Sequence, residues 1–489
     1  MYRGGCARRG AILGGLLLAS WSSQGIAAEW SFSESITLSE AYTDNVYLTE
    51  EDTEGSWATI ISPNFLLSGK GRRMSVELAA TLQFVTNTDD NFYPRLRGNL
   101  SSELLERRFF VDAFVSADQR SIDPLRPAGS PINRTGNLTT TYTIGINPYW
   151  LEHFGDFADL RLDYEYRYEF FSGGDDEPGD RYFNDFYFTL NSGRRFSIFG
   201  WSLHGSYERT SYKEDERSNT TFKSLDARLS YALTRSLTPY VSFGREWNTY
   251  ESSRRKKGGN KWMVGTFWAP NPRINLDVGY GYRFFGYYPH VNLTYRHRRS
   301  TLRLSYTEDI ESGYEPLDQQ GILATTDLAG SPTDPFAGGP GAVVSASGLD
   351  NVYQTGAYVD KRFSAAYLLS GKRTSFGVDV RYSDKMYADN IPDLLEWSIG
   401  MHLGRQLGRR LSADVRTRWE RTEDDIDFMA DTWDFGFGVT RQLGNDTHLR
   451  FSYTYSQRDS NRPNDDYIEN RFALVLTTSM VGLAQHAGF

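Results

Sequence analysis

The side chains able to do chemistry in this 489-residue chain are few and scattered. Seven histidines, His153, His204, His290, His297, His402, His448 and His486, are spread along its length. No GxSxG, HExxH, phosphate-binding glycine loop or repeated acidic calcium signature accompanies them. A covalent mechanism needs a nucleophile and a base within hydrogen-bond reach, and no serine stands in register with these histidines on the face where a lipid substrate would lie. His290 and His297 have opposite strand parity and so form no metal pair on one strand. The densest polar chemistry is the carboxylate pair Asp163 and Glu165, interleaved with Arg161 and Arg167. Acid–base work is the sharper reading of that quartet. Mutual neutralisation is the plainer one, each wet pair being worth about 0–1 kcal/mol. The expectation is no enzyme, no cofactor and no metal.

The element that carries the quartet is more telling than the quartet. From Asp159 to Phe170, side-chain character flips at every residue. Leu160, Leu162, Tyr164, Tyr166, Tyr168 and Phe170 share one parity; Asp159, Arg161, Asp163, Glu165, Arg167 and Glu169 share the other. A strand sends successive side chains to opposite faces, so one face is apolar and the other ionised. Strands of soluble proteins average about 5–6 residues, whereas a tilted membrane strand needs about 9–11. This one is long enough to cross a bilayer with its apolar face on lipid and its charges in a wet lumen. The pattern recurs at 74–84, 274–284, 302–310, 376–382, 395–403, 411–419 and 449–455. Arg283, Arg303, Arg381, Arg416, Arg418 and Arg450 then join the lumen face.

Composition and targeting agree with that picture. Arg3, Arg8 and Arg9 precede the short apolar run Ala11 to Ala19 and the small-residue exit Gly25-Ile26-Ala27, the layout of a secretory signal. Residues 1–27 are therefore expected to leave, with 28–489 as the mature barrel. The single cysteine, Cys6, leaves with them. The mature chain then has no disulfide and no thiol chemistry. Aromatic residues make up 15% of the chain and the net charge is −9. No stretch approaches the roughly 18 uninterrupted apolar residues of a membrane helix.

The connectors alternate between short and long, as in bacterial outer-membrane barrels, whose periplasmic turns are short and external loops long. The short turns are basic: Lys70, Arg72, Arg73, Arg107, Arg108, Arg194, Arg195, Arg298, Arg299, Arg409 and Arg410. The long loops are acidic, as at Glu50, Glu51, Asp52 and Glu54 or Glu423, Asp424, Asp425 and Asp427. Headgroup contact is the plainer reading of the basic rim; a funnel for an anionic polymer is the functional one. Acidic loops could hold divalent cations that bridge lipopolysaccharide. The longest connector, 309–350, mixes Gly and Pro with Ile322, Leu323, Phe336, Val343 and Val344. It either folds into the pore or lies outside it.

Tyr42-Thr43-Asp44-Asn45-Val46-Tyr47-Leu48 resembles the opening of β-barrel porins tied to exopolysaccharide gene clusters. Residues 61–84 and 110–124 are similar to outer-membrane proteins of the PEP-CTERM/exosortase system. The resemblance implies a barrel working near exopolysaccharide export or surface-protein sorting, and supplies no catalytic residues. Locally, Asp44 and Asn45 read as an Asx turn capping a hairpin.

The expected fold is all-β: a single transmembrane, antiparallel up-and-down barrel of about 22 strands (range about 18–22). With the first strand starting at Trp30, straight after the signal, no plug domain is expected. Both termini should be periplasmic. The expected function is a passive outer-membrane conduit of weak charge selectivity, with exopolysaccharide or protein sorting implied by the resemblance. The alternative is a non-conducting scaffold or adhesin that displays acidic loops. Expected partners are outer-membrane lipid and lipopolysaccharide, the barrel assembly machinery, an exopolysaccharide and periplasmic export components, with no nucleic acid.

Overall fold

The computed structural model describes residues 29–88, 90–127, 129–174, 179–213, 219–249, 258–311, 357–387, 392–444 and 447–479. The signal region, most of the 309–350 connector and the C-terminal residues lie outside them.

Twenty-two strands run in chain order, from β1 (Glu29–Thr43) to β22 (Tyr467–Ser479), each antiparallel to its neighbours. They range from 10 residues in β13 (Ile274–Arg283) to 16 in β6 (Leu138–His153). Pairing of β1 with β22, from Ser35 opposite Ser479 to Thr43 opposite Arg471, closes the sheet and leaves it no free edge. Alternation explains the shape. Phe32, Trp57, Ile61, Phe84, Phe92, Phe243, Phe472 and Leu474 are large, apolar and exposed, all on one parity. A soluble fold would bury that face. Here it forms an outer belt, reinforced by cross-strand ring pairs such as Phe84 with Phe92 at 5.1 Å and Tyr142 with Phe170 at 4.8 Å.

The Asp159–Phe170 pattern falls in β7 (Ala158–Ser172), paired with β6 and β8 (Arg181–Ser192). Gly155, at φ +62°, supplies the left-handed residue of the β6–β7 turn. Not every connector on the long side is long. β13 and β14 (Gly286–His297) are separated by Phe284 and Phe285 alone, where 285–290 reads as a loop in the sequence. Backbone pairing continues to Arg283 opposite Gly286 and takes Tyr287 and Tyr288 into the strand.

The Asp44-Asn45 motif does more than cap a hairpin. Asn45, fully buried, donates through Nδ2 to the Thr49 and Ile468 carbonyls at 2.7 and 3.0 Å. Asp44 accepts from the backbone and side-chain nitrogens of Asn470 at 2.7 and 2.8 Å. The pair fastens the first connector to the last strand, at the seam where the barrel closes.

Candidate functional site

The inner face carries many paired charges. On β7, Asp159 lies 2.6 Å from His153 Nδ1, and Arg161 grips Asp163 through Nε and Nη2 at 2.9 and 2.6 Å while lying over the Tyr149 ring. Arg167 pairs with Glu165 and sits 3.5 Å from Asp185 of β8, its guanidinium 4.4 Å from the Phe183 centroid. Glu169 pairs with Arg181, both at 0% exposure. These are neighbours along the strand, directly across it or on its diagonal, which strand geometry makes available.

Farther round, the partners differ from those suggested by sequence proximity. Arg283 binds Glu246 of β11 (Leu237–Asn248) at 2.9 Å and Asp309 of β15 (Ser300–Glu311) at 2.7 Å, not Asp277. Asp277 instead accepts from Tyr240 Oη at 2.8 Å. Asp226 pairs with Lys261 at 2.7 Å rather than with Arg228, whose guanidinium lies over the Tyr240 ring. Asp414 takes two bonds from Arg450, at 2.7 and 2.9 Å, while Arg418 turns to Glu420 at 3.0 Å. Arg416 stands between His402 and Gly436, and Arg381 between Ser364 and Ser398. Arg303, opposite Thr294 and Ala366, is exposed on the same face. Residues one or two apart in a strand compete with residues two strands away on the same face, and long guanidinium and ammonium arms reach the latter.

At the long-connector end, part of the lumen is occupied. The segment between β5 (Phe109–Ser121) and β6 turns inward. Ile132, 2% exposed, joins one buried cluster with Ala41, Ala58, Ile60, Val85, Tyr93, Ala473 and Val475, the inner parity of β1, β2 (Ser56–Lys70), β3 (Met74–Val85), β4 (Phe92–Leu105) and β22. Asn133 donates to Glu469 at 2.9 Å and accepts from Arg471 at 3.2 Å. Thr43 donates to the same Glu469 oxygen at 2.6 Å. The segment therefore leaves the wall at β5 and docks around the seam. Nothing periodic marks it in the sequence. The available sign was three large apolar residues, Ile122, Leu125 and Ile132, inside a connector otherwise rich in polar residues, Pro and Gly.

The rim arginines and lysine, Lys70, Arg72, Arg73, Arg107, Arg108, Arg194, Arg195, Arg298, Arg299, Arg409 and Arg410, are exposed at the opposite end. A few touch acids there: Arg73 with Glu106 at 3.2 Å, Arg108 with Glu152 at 3.5 Å and Arg194 with Asp156 at 2.8 Å. Among the described residues no three His, Cys, Asp or Glu side chains gather as a metal site.

No family model matches the chain, and no curated protein matches it. Solved structures do. The siderophore receptor PirA from Acinetobacter baumannii superposes with a TM-score of 0.51 over 92% of this chain and 80% of its own, at 9% identity. The FrpB iron transporter from Neisseria meningitidis (F5-1 variant) gives 0.51 over 92% and 82%, at 10% identity. The chain shares the closed antiparallel β-barrel fold of these two structures. At such identity the likeness is one of fold.

That likeness corrects one expectation. Outer-membrane transporters with about 22 strands have a plugged lumen, so the expectation of no plug domain, drawn from where the first strand begins, does not stand. The physical reason is width: a barrel of this strand number is too wide for its own side chains to fill. Here the 122–137 segment already takes up part of the mouth.

Proposed function

We propose that this protein is an outer-membrane transport barrel that passes a polar solute of little net charge through its lumen, as a conduit rather than an enzyme. The observation that carries this reading is the inner face itself. A pore for a polyanion would be lined by rings of one sign. Here acids and cations of both signs are interleaved, and two arginines are each shared between two acids, Arg167 between Glu165 and Asp185 and Arg283 between Glu246 and Asp309. Aromatic rings stand among them, with Phe110 stacked on Tyr149 at 4.9 Å and Arg161 over the latter. Alternating rings and polar groups suit a carbohydrate, whose C–H faces stack and whose hydroxyls both donate and accept. An exopolysaccharide is the cargo suggested by the resemblance of residues 42–48, 61–84 and 110–124. The short-turn rim then faces the periplasm, where its arginines meet phospholipid headgroups. The test is single-channel recording in a planar bilayer: an ohmic conductance of near-equal cation and anion permeability, reduced by neutral oligosaccharides.

A second reading comes from strand number and the inward mouth segment. Barrels of this size serve as receptors, and the superposed structures are a siderophore receptor and an iron transporter. An electrically silent barrel that binds a ferric siderophore would favour that reading. One that neither conducts nor binds a solute would leave the surface scaffold.

A further inference from the structure

The outer face from β8 to β12 (Gly258–Asn271) carries an anomaly. On β9 (Phe199–Tyr212), β10 (Thr220–Tyr231) and β11, the outward parity includes Leu203, Leu225, Leu229, Val241 and Phe243, as a lipid-facing wall requires. On the same parity stand Arg209, Lys223 and Arg245, all exposed. Each is three residues from the long-connector end of its strand. The register places them on a diagonal. Arg209 is opposite Thr221, two residues from Lys223; Lys223 is opposite Trp247, two residues from Arg245. Diagonal neighbours in an antiparallel sheet have Cβ atoms about 7–8 Å apart or less, so the three cationic heads can converge. Asn184, opposite Arg209, and Asn260, opposite Arg245, extend the polar stripe at both ends.

Their lack of an acidic partner is what sets these three apart. Other outward cations near this end are paired: Lys361 with Asp384 at 3.1 Å, and Arg421 with Asp431 at 2.6 Å. Among the described residues, Arg209, Lys223 and Arg245 have no carboxylate partner. Lys223 lies 5.2 Å from the Tyr207 centroid and Arg245 lies 5.4 Å from that of Trp247. Tyr and Trp of this kind form the girdle where barrels meet headgroups, which sets the depth of the cluster. A cation there is tolerated, but three together repel unless an anion joins them. The long-connector end of a bacterial barrel faces outward, and the outer leaflet there is built of phosphorylated glycolipid.

We infer that Arg209, Lys223 and Arg245 form a binding site for a phosphate group of an outer-leaflet glycolipid of the lipopolysaccharide class, clamped against the outside of the barrel. Guanidinium groups suit phosphate because their planar fork donates two parallel bonds. Tyr207 and Trp247 flank the site where the sugar–acyl junction would lie. The site is independent of what passes through the lumen.

The experiment compares the full-length protein with an R209Q/K223Q/R245Q variant, each reconstituted with lipid A, monodephosphorylated lipid A or phosphatidylethanolamine, and reads bound lipid by native mass spectrometry. Folding is checked by heat-modifiable gel migration. We expect the variant to retain lipid A about tenfold less, the size of effect when three exposed charge pairs are lost together. Removal of one phosphate should weaken retention by the wild type, whereas an Arg298→Gln/Arg299→Gln control should retain lipid A fully. Displacement by millimolar inorganic phosphate would reveal a free-anion site and overturn the lipid assignment. Equal retention of lipid A by wild type and variant, or equal retention of phosphatidylethanolamine by the wild type, would also overturn it. Should the triple variant fail to assemble, Lys223→Gln alone is read the same way, with a loss of roughly twofold to threefold.

Discussion

Arg458, on β21 (Thr447–Ser460), donates through Nη2 to the carbonyl of Leu125 at 2.7 Å, although 333 residues separate them. The same guanidinium holds Asp465 at 3.1 Å. Leu125 belongs to the inward segment that follows β5, so this bond ties that segment to the wall beside the seam, six strands round the sheet from β5. Together with Asn133, Glu469 and Arg471, it makes the mouth segment part of the closure of the barrel.

Replacing residues 124–135 by a short Gly-Ser hairpin should raise single-channel conductance while leaving assembly intact. Asn133→Ala is the milder version. It leaves a buried Glu469–Arg471 pair short of one donor and one acceptor, a cost of about 1–3 kcal/mol. Proteolytic cleavage within 122–137 should become faster with the barrel still resistant. Unchanged conductance in a folded hairpin variant would remove the segment from the permeation path.

The parity of β7 has a direct consequence for stability. Leu162→Arg puts a charge on the lipid face and should cost roughly 2–4 kcal/mol if it lies near the bilayer midplane. Thr189→Arg, on the opposite parity and directly across from Arg161, should change stability little. Reversible unfolding in bilayers measures both. A cysteine at 165 should react with an aqueous reagent and one at 164 should not; the reverse pattern would mean a one-residue slip of the strand.

Glu169 and Arg181 are both fully buried. Removing one partner strands the other's charge, a loss of about 3–5 kcal/mol, whereas a matched apolar pair can recover most of it. Arg181→Met alone should therefore destabilise the barrel strongly, and Glu169→Leu/Arg181→Met together should not. A double-mutant cycle in urea gives the coupling.

Arg283 is the cation shared by Glu246, 2% exposed, and Asp309. Arg283→Gln leaves both acids without it. The zero-current potential under a salt gradient should then move toward cation selectivity, while Arg303→Gln, at an exposed residue opposite Thr294 and Ala366, should move it less.

The sequence by itself determined the architecture. Strict alternation in long strands leaves only one closed solution in a bilayer, because every backbone group must be paired where water is absent. Strand count, the parity of the β7 charges and the basic short-turn rim follow from side-chain period and connector length, both local quantities. What only the tertiary structure decided is non-local. Side-chain period says which face Asp226, Asp277 and Asp414 occupy, but not that their partners are Lys261, Tyr240 and Arg450, because pairing across strands depends on register and on the reach of each side chain. The inward turn of the 122–137 segment depends on apolar inner-wall residues at the seam, contributed by β1 to β4 and β22. The plugless barrel expected from the position of the first strand failed because lumen width follows from strand number, whatever the order of segments along the chain. Asn45 shows the boundary between the two kinds of information. Its turn chemistry is legible in four residues, whereas its bond to Ile468 exists only because the barrel closes.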